Sequence, residues 1–145
     1  MKGRTYRFIE DKPVWPFGFG LSYSRAEYLS AEILSCDDEN ITLSVKIENK
    51  GKYEIDEKIQ VYARFTDSRC ETPRYQLCAI KPVKLSPGET KTAELNVDRF
   101  WIKAVTADGV RREPDGEITL YTGSSQPDEL SRSLGAPACV SIKLA

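Results

Sequence analysis

Carboxylates are the most numerous groups in this sequence that could do chemistry. Twenty-two aspartates and glutamates are spread over 145 residues, and two of them held face to face would serve as nucleophile and general acid/base. Such a pair needs one carboxyl group whose pKa is lifted by apolar surroundings. Glu27, Glu54, Glu57, Glu89 and Glu113 lie instead beside turns and other charges, which reads as a set of solvated surface carboxylates. Histidine is absent, so Ser-His-Asp and Cys-His catalysis, imidazole metal ligation and the commonest general base are all excluded. Cys36, Cys70, Cys78 and Cys139 contain no C-x-x-C pair, the spacing that supports zinc or redox chemistry. They read as four free, mostly buried thiols in a reducing compartment, with a Cys70–Cys78 bridge across a short loop as the alternative.

Three smaller clusters give weaker signals. Asp37-Asp38-Glu39-Asn40 gathers hard oxygen ligands but lacks the D-x-D-x-D-G spacing of a calcium loop, and it reads as a solvated hairpin turn. Arg111-Arg112 is too short for a phosphate patch and brackets a hairpin loop. Trp15, Trp101, Tyr6 and Tyr75 could build a sugar-stacking platform, yet buried or interface packing is the better reading, because aromatic rings carry the largest burial term available. No catalytic residue, metal ligand or cofactor site is expected.

The scaffold must also be small. A (β/α)₈ barrel needs roughly 250 residues, and this chain has 145, with 40% hydrophobic and 30% charged residues and a net charge of −1. Residues 1–72 carry 11 basic and 13 acidic groups and residues 73–145 carry 10 and 9. Neither half has the basic excess that nucleic acid or an anionic membrane would require, so neither partner is expected. No apolar run approaches the roughly 20 residues of a membrane span, and the start lacks the apolar stretch of a signal peptide. A cytoplasmic protein is favoured over a secreted one unless an upstream signal was removed.

From Tyr28 onward the pattern has a period of two. Ile41, Leu43, Val45 and Ile47 alternate with Thr42, Ser44, Lys46 and Glu48, which puts an apolar row on a core and a polar row in water. Asn49-Lys50-Gly51 ends that strand with residues suited to a tight turn. Ile59, Val61, Ala63 and Phe65 repeat the alternation, as do Ala93, Leu95 and Val97 after the turn Ser86-Pro87-Gly88-Glu89. Residues 75–85 are extended but contain Pro82, which lacks an N–H and so belongs on an edge strand or at a bulge. Residues 28–34, 117–122 and 140–144 complete seven strands, the sixth preceded by the turn Pro114-Asp115-Gly116. No run has a convincing helical period. The expected fold is an all-β, immunoglobulin-like (fibronectin type III-like) antiparallel β-sandwich over 28–145. Its expected core holds Ile41, Leu43, Val45, Ile47, Val61, Phe65, Leu95, Ile118, Leu120 and Ile142.

Residues 1–27 are an irregular aromatic arm. Trp15, Phe17, Phe19, Leu21 and Tyr23 follow neither period, and Pro13, Pro16, Gly18 and Gly20 interrupt any regular element. An arm so apolar must cover something or be covered. These five residues are therefore the candidate interdomain or self-association contacts, and the arm is expected to fold back along the sandwich, to pair two chains as a homodimer, or to be disordered in the monomer.

Trp15-Pro16-Phe17-Gly18-Phe19-Gly20-Leu21-Ser22-Tyr23-Ser24 resembles the Y-P-F-G-Y-G-L-S-Y-T signature that introduces the C-terminal fibronectin type III-like domain of glycoside hydrolase family 3, the β-glucosidase and β-xylosidase family. Further blocks follow in order. Glu48-Asn49-Lys50-Gly51 is similar to its V-x-N-T-G turn, Lys58-Ile59-Gln60-Val61-Tyr62 to its E-V-V-Q-L-Y strand, and Leu77 to Leu85 to L-K-G-F-K-R-V-x-L. Leu85-Ser86-Pro87-Gly88-Glu89-Thr90 resembles L-x-P-G-E-S/T, and Glu117 to Ser125 resembles F-T-V-Y-V-G-S-S. Ile80 stands where an aromatic is usual, Pro82 where a basic residue is usual, and Asp115 is an extra residue in the Pro-Gly turn.

This resemblance implies a non-catalytic accessory domain of a larger enzyme that hydrolyses O-glycosyl bonds. Retaining hydrolysis uses two carboxylates about 5–5.5 Å apart, and in the family these lie in catalytic domains upstream of the signature, which would be the partners of this chain. The arm would then join them to the sandwich. Two other classes stay open: a stand-alone carbohydrate-binding or adhesion module, which cellobiose or xylan titration would detect, and an enzyme with an unrecognised carboxylate pair, which an aryl β-glycoside assay would detect.

Overall fold

The computed structural model describes residues 3–9, 11–69, 71–106 and 108–144. A short helix α1 (Thr5–Phe8) precedes an irregular run, then β1 (Ala26–Cys36), β2 (Asn40–Asn49), β3 (Ile55–Thr66), β4 (Gln76–Leu85) and β5 (Thr90–Asp98). After a 3-10 turn (Arg99–Ile102) come the small hairpin β6 (Ala104–Val105) and β7 (Arg111–Arg112), then β8 (Glu117–Gly123), α2 (Glu129–Ser133) and β9 (Val140–Leu144). One sheet has the order β1-β2-β5 and the other β4-β3-β8-β9, with every pairing antiparallel. The seven long strands are those expected from the alternation, and they form an all-β sandwich.

β2 shows why the sequence folds this way. Ile41, Leu43, Val45 and Ile47 are fully buried while Lys46 is exposed, and the strand runs in unbroken register against β5, Ile41 opposite Val97 and Leu43 opposite Leu95. Each such side chain taken out of water contributes roughly 1.5–3 kcal/mol. Ile59, Val61, Leu85, Val97 and Leu120 close the same core from neighbouring strands. Phe65 and Ile142, expected inside it, are only partly buried and pack against its margin, because Phe65 sits near the end of β3 and Ile142 belongs to the short edge strand β9.

The turns follow their residue types. Asp37 Oδ1 accepts from the N–H groups of Glu39 (2.8 Å) and Asn40 (2.7 Å), closing the β1–β2 hairpin where a calcium loop had been the competing idea. Arg111-Arg112 forms one side of the β6–β7 hairpin. Asn49 is fully buried and every one of its polar groups is used: Nδ2 donates to Tyr53 O and Leu85 O, Oδ1 accepts from Ser24 Oγ and Gly51 N, and the backbone bonds Glu89 and Gly88. Gly51 is needed beside it because a Cβ there would lie 1.8 Å from Ser24 Oγ and 2.9 Å from Arg25 N.

Two departures from expectation concern helix and cysteine. The short helix α2 is set by Asp128, whose Oδ1 accepts from Ser131 N (2.7 Å), a local cap that needs no helical periodicity. Cys78 is buried and Cys139 partly so, but Cys36 is exposed at the end of β1, where its sulfur accepts from Arg99 Nη1 at 3.3 Å. Cys70, and with it any pairing to Cys78, lies outside the described residues.

Candidate docking surface

β3 departs most from a simple alternating strand. Its inward row contains Ile59, Val61 and Ala63, but Gln60 and Tyr62 between them are buried as well, giving five consecutive buried residues. A strand of an antiparallel sandwich normally has one wet face. Here the arm and the 124–128 segment lie over the outer face of the four-stranded sheet as a partial third layer.

The arm is attached mainly through its backbone. Gln60 Nε2 donates to Gly18 O (3.0 Å) and Ser124 O (2.6 Å), and its Oε1 accepts from the Tyr62 hydroxyl (2.6 Å). Gln126 N donates to Phe17 O (3.1 Å). Burial keeps the Tyr62 phenol protonated by raising its pKa, so it remains the donor in this chain of bonds. The Phe17 ring meets Tyr62 edge-on (6.5 Å, 89°) and stacks on Tyr6 (3.7 Å, 9°). Gly18 has φ +76, and a Cβ at that position would lie 2.2 Å from Gln60 Oε1 and 2.4 Å from the Tyr62 hydroxyl. Conformation and space both demand glycine there.

The same segment also protects an edge. β4 borders its sheet, and Leu77 N near the start of this edge strand donates to the Tyr6 hydroxyl (3.3 Å). Arg74 N donates to Arg7 O nearby (2.8 Å). Pro82 sits in this edge strand, the place its missing N–H requires.

Only part of the arm faces the sandwich. Pro16 is buried and Phe17 is 39% exposed, whereas Val14 is 84%, Trp15 61%, Leu21 87% and Tyr23 97% exposed. Trp15 and Phe19 stack on each other (5.9 Å, 14°). The five candidate contacts therefore divide: Phe17 anchors the arm inward, Phe19 is intermediate, and Trp15, Leu21 and Tyr23 point out. The four aromatics proposed for sugar stacking do not converge. Tyr75 is buried with its hydroxyl on Pro127 O (3.0 Å), while Trp15 and Trp101 line two different hollows, each bordered by Tyr6.

Beside the outward-facing strip runs a groove of about 290 Å³, between residues 19–26 and the 134–137 turn. Glu57 lines it and corrects the reading of a solvated carboxylate. It falls in the inward row of β3 between Ile55 and Ile59, is half-buried, and its Oε1 accepts from the Tyr28 hydroxyl (2.7 Å). Burial lifts its pKa, with the Tyr28 bond and the Lys58 charge opposing.

Comparisons with known proteins are consistent with this architecture. Residues 57–126 match the family model of the fibronectin type III-like domain. Over 134 residues the chain is 34% identical to a β-xylosidase of Formosa agariphila, covering 86% of this chain and 18% of that protein. Over 131 residues it is 34% identical to a β-glucosidase of Kluyveromyces marxianus, covering 88% and 15%. The crystal structure of the Kluyveromyces marxianus β-glucosidase superimposes with a TM-score of 0.77 at 27% identity, over 95% of this chain and 16% of that one. The chain thus spans less than a fifth of each of these proteins.

Proposed function

We propose, on the premise that this chain is a fibronectin type III-like domain of the glycoside hydrolase family 3 β-glucosidases and β-xylosidases, that it is the non-catalytic accessory part of such an enzyme and braces its catalytic body. The carrying observation is the split arm. Its backbone is locked to the sandwich by buried Gln60, yet Val14, Trp15, Leu21 and Tyr23 are held out in water. Burying large apolar side chains is worth roughly 1.5–3 kcal/mol each, so an exposed strip of them on an anchored backbone is a surface prepared for a partner. In this reading the partner is the rest of the enzyme. The hydrolytic carboxylate pair is then carried by that body, and the purified 145-residue chain is expected not to turn over nitrophenyl β-glucoside or β-xyloside.

An exchange experiment tests this reading. The corresponding domain of the Kluyveromyces marxianus β-glucosidase is replaced by this chain, with and without serine at Trp15, Leu21 and Tyr23. Loss of melting temperature and activity in the exchanged enzyme, with the stability of the isolated chain unaffected by the same substitutions, is the expected result. Equal behaviour of the two exchanged enzymes would show that the strip contacts nothing.

A further inference from the structure

The groove beside the arm contains a carboxylate, Glu57, that has no ion-pair partner among the described residues. Glu57 projects from an apolar row, with one carboxylate oxygen on the Tyr28 hydroxyl at 2.7 Å. Among the described residues no ion pair within 4.0 Å reaches it. Lys58 is committed to Asp56 at 2.6 Å, and Arg25, which lines the groove, forms no such pair with it. A half-buried carboxylate with a single hydroxyl partner is tolerable while water reaches its second oxygen. If a partner closed over Leu21 and the groove, that water would be expelled, and an uncompensated buried carboxylate is strongly unfavourable.

We infer that the surface covering this groove supplies an arginine whose guanidinium bonds the free side of the Glu57 carboxylate. The occupant is a segment of the enzyme body adjoining the arm, so the inference rests on the docking reading above. The lining holds one acid and one base, Glu57 and Arg25, and because the two form no ion pair the Glu57 carboxylate itself selects a cation. The lining selects the guanidinium over an ammonium: Leu21, Leu134 and Pro137 offer apolar walls, which suit a planar and weakly hydrated cation, while Ser22 and Ser24 add hydroxyls at the margin. The bland alternative, a carboxylate that merely ties β3 to β1 through Tyr28, predicts no preference for a cation.

The intact 145-residue chain permits a direct test. Carboxyl-carbon NMR follows the titration of Glu57 against exposed Glu54, with N-acetylargininamide as the probe and N-acetylnorleucinamide as the uncharged control. The expected result is a saturable lowering of the Glu57 titration midpoint by about 1 unit, the size an adjacent opposite charge produces, with Glu54 unmoved and the control inert. A Glu57 response no larger than that of Glu54 overturns the inference, and because the comparison is made within the wild-type chain it depends on no variant folding. The two readings fail separately. Loss of the strip effect in the exchanged enzyme would leave a guanidinium-binding Glu57 in place, whereas an unresponsive Glu57 beside a functioning strip would remove this inference alone.

Discussion

β2 and β3 have the same alternating pattern and end up in different surroundings. In β2 the row between the core residues, Thr42, Ser44 and Lys46, stays partly or fully in water. In β3 the corresponding Gln60 and Tyr62 are buried beneath a segment that lies some forty residues earlier in the chain, at a separation of 42 for the Gln60–Gly18 bond. Alternation within a strand therefore reports only its inner face. The fate of the outer face depends on whether a remote segment has a way to hold on, and here Gln60 provides it by bonding backbone carbonyls on two sides.

The sharpest way to break this contrast is to truncate both outer rows. Tyr62→Ala is expected to destabilise the chain by about 4 kcal/mol, the usual range for a large buried ring, while Ser44→Ala stays within about 0.5 kcal/mol, as exposed sites do; urea unfolding of both variants measures the gap. Gln60→Ala comes next, at about 3 kcal/mol, because it strands the Gly18 and Ser124 carbonyls and the Tyr62 hydroxyl. Combining it with deletion of residues 3–24 sharpens the point. If the arm is what buries Gln60, the two losses are strongly non-additive in a double-mutant cycle, and simple additivity would mean that the side chain acts within the sheet alone. Gly18→Ala is expected to cost about 2 kcal/mol through its positive φ, and to increase hydrogen exchange at the arm without affecting β2.

The smallest effect belongs to Glu57. A carboxyl group with a raised folded-state pKa holds its proton more tightly when folded, so its contribution is present below the unfolded value and is lost as pH rises through the folded one. Glu57→Gln keeps an acceptor for the Tyr28 hydroxyl and removes the desolvated charge. It should be more stable than the parent at pH 7, and the difference should close on acidification to about pH 4, near the ordinary glutamate value. Thermal melts across that window decide the sign.

The seven strands were legible because their inner rows are long, aliphatic and bounded by turn residues. Pro82 announced an edge, and the short acidic run announced a hairpin. Other features could not be read locally. The inner-row position of Glu57 shows in the sequence as a charge between Ile55 and Ile59, but the charged neighbours Asp56 and Lys58 mask the row to which it belongs. Which arm residues face in was hidden, since Phe17 and Trp15 are alike in type and differ only in the contacts that Tyr6 and Tyr62 offer. Helix α2 escaped because one aspartate caps a single turn and leaves no periodic trace.

The Gln60 clamp also sets an order of assembly. Its two acceptors lie 42 and 64 positions away along the chain, so each bond forms only after its own long loop has closed, and closure on that scale precedes any reward from the contact. The hairpins β1–β2 and β3–β4 have no such delay. The arm is therefore the last part to settle during folding and the first to lift off afterwards, so the Gln126 amide that bonds Phe17 exchanges with solvent sooner than the amides at the centre of β3.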